Sequence, residues 1–134
     1  MASNLNLTNA IATAQAQVIA DALASGYLRL YSGSQPATAD TAVSGQTKLA
    51  ELRFAAVAET SVVDGVITFA ALTPDASAVG GDTATWFRAL EADGTTVVLD
   101  GTVGTAGCDL NMNAVAISAG AAVSANTMTY TVVK

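Results

Sequence analysis

Hydrophobic positions follow two different periods along the chain. From Asn9 to Ala24 the sequence is rich in alanine and free of Gly and Pro, and Ile11, Val18 and Leu23, with Ala14 and Ala22, recur at helical spacing. This predicts an amphipathic helix. Thr8 or Asn9 can cap its start, because a short side-chain oxygen accepts from the free N–H groups of a first turn. Gly26 sits where a left-handed helix stop is expected. A helix so poor in charge is marginal alone and needs a surface to pack on.

Beyond Gly26 the period becomes two. Tyr27-Leu28-Arg29-Leu30-Tyr31 predicts a strand with the leucines inward and the other three residues on the opposite face. Lys48–Val57 reads as a strand, with Leu52 and Phe54 on one face. Val66–Ala70 is another, after an Asp64-Gly65 turn and before Pro74. Thr83–Glu91 alternates Trp86, Arg88 and Leu90 against Phe87 and Ala89. It is followed by Asp93-Gly94, read as a type I′ hairpin turn, and by a return strand over Thr95–Leu99. Leu110–Met112, Val115–Ile117 and Thr127–Val133 close the series. The pattern predicts a mainly β protein, an antiparallel β-sandwich or jelly-roll-like barrel of about eight strands with one α-helix before it. No linker or repeat divides residues 1–134. The chain reads as one domain, with an arm and helix over 1–26 and the sandwich over 27–134.

Composition narrows the function. Charged residues are only 12% of the 134, where a typical soluble domain carries about 25%. Thr, Ser, Asn, Gln, Gly and Ala supply the outward positions instead. With no His and one Cys, a His/Cys zinc site or a Ser-His or Cys-His pair cannot be built within one chain. A net charge of −6 argues against nucleic-acid binding and against attachment to an anionic membrane. The opening residues lack the charged and apolar regions of a signal peptide, and no apolar run has membrane-spanning length. The reading is therefore a non-enzymatic protein made in a cytoplasm, with no cofactor and no metal. Cys108 reads as a small, semi-buried hydrophobe.

Candidate sites are few. The pairs Glu91/Asp93 and Asp93/Asp100 flank a turn, where Asp is favoured for backbone reasons. Trp86 and Arg88 share a face and belong to residue types enriched at interfaces; core packing or a sugar platform with Tyr27 and Tyr31 are the other readings. Ser32–Gly45 is too long for a tight turn, and loops of that length are often functional. A surface poor in Lys and Glu loses little side-chain entropy when covered. These features point to a chain packed against copies of itself, as a dimer or trimer, or against a larger assembly. Leu5 and Leu7 in the arm, Gln35, Pro36 and Asp40 in the long loop, and Trp86 and Arg88 are the candidate contacts.

Several motifs occur in a shared order: Leu28–Val43 (LRLYSGSQPATADTAV), Leu49–Phe54 (LAELRF), Thr85–Arg88 (TWFR), Asp93–Val98 (DGTTVV) and Asp109–Asn113 (DLNMN). Together they resemble a group of small virion-associated structural proteins of tailed bacteriophages and prophages. The resemblance implies a head decoration or minor capsid protein, made in the host bacterial cytoplasm and located in the virion. Its expected partners are copies of itself and the phage major capsid protein or other virion proteins. A neck, tail or fibre-anchoring component is the nearest alternative, and a carbohydrate-binding module is a further one.

Overall fold

A computed structural model describes residues 5–125 and 128–133. Helix α1 covers Asn9–Leu23. Thr8 caps it, its Oγ1 accepting from the Ile11 N–H at 3.2 Å. The helix does not bury the stripe expected from its larger residues. Ala12, Ala16, Ala20 and Leu23 are fully buried, while Ile11 and Val18 are 51% and 69% exposed. Alanine has no side chain beyond Cβ, so this face lets the helix backbone lie close on the core. Its stop also differs from expectation. Ser25 takes the left-handed conformation (φ 56°), and Gly26 does not. Gly26 is needed for another reason: a Cβ there would lie 2.2 Å from the Leu90 carbonyl oxygen.

Ten strands occur among the described residues: β1 (Tyr27–Tyr31), β2 (Lys48–Arg53), β3 (Glu59–Val63), β4 (Val66–Phe69), β5 (Asp82–Thr83), β6 (Trp86–Leu90), β7 (Val97–Gly104), β8 (Leu110–Asn111), β9 (Ala116–Ile117) and β10 (Thr129–Thr131). They form a five-stranded sheet in the order β2-β1-β6-β7-β8, a three-stranded sheet β10-β4-β3 and a small pair β5-β9. The pairs are antiparallel except β7 with β8. The fold is thus mainly β, of sandwich or barrel-like type, with one helix before the first strand. The expected Thr127 start of the final strand lies outside the described residues.

The two Asp-Gly pairs behave differently. Asp64 (φ 53°) and Gly65 (φ 81°) both have positive φ, as a type I′ turn requires, and they join β3 to β4. Asp93 keeps a negative φ, and only Gly94 is positive. Here a wider loop closes with Glu91 N–H on the Thr96 carbonyl and Gly94 N–H on the Glu91 carbonyl. Asp93 accepts from the backbone N–H groups of both Thr95 and Thr96. Those bonds favour the wider loop over the type I′ turn.

The core lies between the inner face of the larger sheet, the smaller sheet and the alanine face of α1. Leu28, Leu30, Leu52 and Ala89 meet Ile67, Phe69 and the helix in one cluster. Phe87 occupies the space above Gly101, where a Cβ would come within 2.5 Å of the ring. The helix packs chiefly on β3 and β4 of its own chain. Thr13 Oγ1 accepts from Gly65 N–H at 3.1 Å, tying helix to hairpin. No helix among the described residues is long and apolar enough to cross a membrane.

Candidate functional site

The opposite face of the five-stranded sheet carries the chain's charge chemistry. Strand register sets Glu51, Arg29, Arg88 and Asp100 in one transverse row across β2, β1, β6 and β7. Arg29 and Arg88 stand side by side, and each is held by a carboxylate on its other flank. Arg29 Nε donates to Glu51 Oε2 at 2.7 Å, and Lys48 Nζ lies 3.6 Å from the same oxygen. Arg88 makes a two-point contact with Asp100, from Nε to Oδ1 at 2.7 Å and from Nη2 to Oδ2 at 2.8 Å. Both of these side chains are nearly inaccessible, at 5% and 4%. Hydrogen bonding to the Asp100 carboxylate raises the Arg88 pKa, and burial acts against it more weakly. Fork-to-carboxylate geometry of this kind is what makes a buried ion pair tolerable.

Aromatic rings and the long loop complete the arrangement. Tyr31 stacks on Trp86 with ring centroids 4.6 Å apart, and the Arg88 guanidinium lies 5.5 Å from the Trp86 ring. Arg88 Nη2 also donates to the Thr41 carbonyl at 2.8 Å, pinning the loop over the sheet. Thr85 Oγ1 donates to the Gly33 carbonyl, and the Gln46 side-chain amide to that of Ser34, both at 2.6 Å. A groove of about 460 Å³ remains between loop residues 39–43 and the β6–β7 turn, floored by Arg29, Tyr31 and Arg88. A second cavity, of about 420 Å³, is lined by Phe87, Leu99, Cys108, Asp109 and Tyr130. Cys108 is half-buried there. Asp109 is engaged with Thr102, accepting from its backbone N–H at 2.9 Å.

The candidate contacts divide by position. Leu5 (88% exposed) and Leu7 (38%) are on the surface, as are Gln35 and Asp40, and Pro36 is half-buried. Trp86 and Arg88 are 1% and 4% exposed, so they are internal supports of the loop and not free surface. Alternation places them correctly on one face, but the loop covers that face. Tyr31 and Trp86 turn their rings to each other, which leaves Tyr27 as the half-exposed ring of the three proposed for sugar stacking. The Arg88–Asp100 pair itself escapes sequence reading. A two-residue turn at Asp93-Gly94 with regular pairing would set Arg88 opposite Leu99; a register shift between Ala89 and Leu90, which leaves Val98 as the extra residue, sets it opposite Asp100.

The carboxylates at the hairpin have separate structural tasks. Asp93 caps its turn, and bonds from Thr96 and Thr95 lower its pKa to about 2. Asp100 belongs to Arg88. No group of three or more potential metal-ligating side chains occurs among the described residues. Compared with family models, curated proteins and solved structures, the chain matches none.

Proposed function

We propose that the chain is a structural protein of a bacteriophage virion, a head decoration or minor capsid protein that binds and stabilises the capsid lattice. One observation carries the assembly part of this reading. Helix α1 turns alanines inward and displays Ile11 and Val18 outward, with Leu5 and Leu7 exposed just before it. Burying apolar surface is worth roughly 25 cal/mol per Å². A helix that packs mainly through alanines, with Ile19 and Leu23 as its larger core residues, leaves Ile11 and Val18 for contact with something else. The sparse charge of the whole surface supports the same reading, and the ordered motifs from Leu28 to Asn113 support a phage origin. Repetition over a symmetric shell would let modest contacts add up, and binding only the assembled lattice would stabilise it by mass action.

Immunogold labelling of intact virions of the source phage, with antibody to the purified chain, tests the proposal. Dense label over the head is expected. Label confined to the neck or tail would replace the decoration role with a neck or fibre-anchoring one. Intact and opened particles that both stay unlabelled would overturn the virion assignment.

A further inference from the structure

The basic residues are gathered on one sheet of this molecule. Four of the five basic residues, Arg29, Lys48, Arg53 and Arg88, lie on strands β1, β2 and β6 of the larger sheet; the fifth, Lys134, lies outside the described residues. Three of the four have carboxylate partners. Arg53 has none among the described residues. Its guanidinium lies 4.3 Å from the centroid of the Tyr27 ring, and Nη2 donates to the Ser25 carbonyl at 2.7 Å. The result is an exposed cation laid on a half-exposed aromatic.

The reciprocal feature lies at the other end of a short stretch of chain. Gln17 Nε2 donates to Asp21 Oδ1 and to Glu59 Oε1, each at 2.9 Å. One neutral amide thus gathers two carboxylates, and neither has a cationic partner among the described residues. Residues 53–59 run directly from the cationic patch to the acidic pair. Ala55 accepts from Ser25 N–H at 2.9 Å along the way, and Val57, between them in the sequence, is 64% exposed.

We propose that two copies of this chain pair across this end of the molecule, with Arg53 and Tyr27 of each docking on Asp21 and Glu59 of the other. Charge complementarity selects a second copy as the occupant. The chain carries both halves of the contact close together, Arg53 bonding to Ser25 four residues past Asp21, so one two-fold axis can satisfy both at once. That is the self-complementary surface an isologous dimer requires. A planar guanidinium suits a carboxylate pair, and stacking on the Tyr27 ring orients it. Tyr and Arg are also the types enriched at interface centres. The dimer does not depend on where in a particle the chain sits.

Sedimentation velocity with charge-reversed variants tests the pairing. The wild-type chain is expected to be dimeric at low salt and to dissociate towards about 0.5 M salt, as contacts between charges are screened. Arg53→Glu alone and Glu59→Lys alone should each be monomeric, while their equimolar mixture should regain the dimer, because each reversed charge then meets its complement. Circular dichroism checks that each variant is folded. Should Glu59→Lys fail to fold, Asp21→Lys on the exposed helix face replaces it in the same design. A monomeric wild type at low salt, a single variant that dimerises as well as wild type, or a mixture that stays monomeric would each overturn the proposal.

Discussion

At the scale of single residues, the most consequential interaction is the Arg88–Asp100 pair. It ties β6 to β7 and, through Thr41, secures the loop above them. Breaking a buried pair by removing one partner leaves an uncompensated charge, which destabilises by about 3–5 kcal/mol. Asp100→Ala should therefore lower the urea midpoint severely. The double variant Arg88→Met/Asp100→Leu should recover most of the loss, while leaving loop residues 38–43 more open to protease. Asp93 offers a pH-dependent counterpart. Its folded pKa, about 2, lies below its ordinary value. A carboxylate shifted in that direction contributes stability above its unfolded pKa and loses it as pH falls through the folded one. The stability gap between wild type and Asp93→Asn should thus be present at pH 6 and shrink as the pH falls from about 4 towards 2, as followed by denaturant titration. Residue identity alone marks Arg88 and Trp86 as notable. It cannot say that a loop residue 47 positions earlier in the chain is bonded to Arg88.

At the scale of elements, legibility follows side-chain contrast. The alternation in Tyr27–Tyr31 predicts β1, and Leu28 and Leu30 are indeed fully buried. Strand β3 has no comparable signal: Thr60, Ser61 and Val63 are all exposed, and its pairing with β4 comes from the Asp64-Gly65 turn. The helix is legible in extent but not in orientation. Hydrophobicity favours a face containing Ile11 and Val18, whereas packing selects the face whose atoms reach least far. This reversal gives a direct comparison. Val18→Lys should change stability by less than about 0.5 kcal/mol, as expected of an exposed site. Ala16→Leu should destabilise by about 1–3 kcal/mol through overpacking. Thermal denaturation of the two variants separates the faces, and the opposite order would mean the helix is turned.

At the scale of the whole molecule, the class of fold is legible because strand-length runs and Gly turns succeed one another after a single helical segment. Sheet order is not, since it depends on which strands find each other across long separations. The clearest case is β1, which has β2 on one side and β6 on the other. Tyr27 pairs with Leu90 and Tyr31 with Trp86, so the centre of the larger sheet joins segments far apart in sequence. This has a kinetic consequence. Loop-closure entropy must be met before such a pairing is rewarded, and sheets built on non-local contacts fold in milliseconds to seconds where local helical folds take microseconds. Hairpin β3–β4, closed by its two-residue turn, can form within about 1–10 μs. During the interval Leu28 and Leu30 lack their cover, and crowded nascent chains would be most prone to join wrongly at the edge of β1.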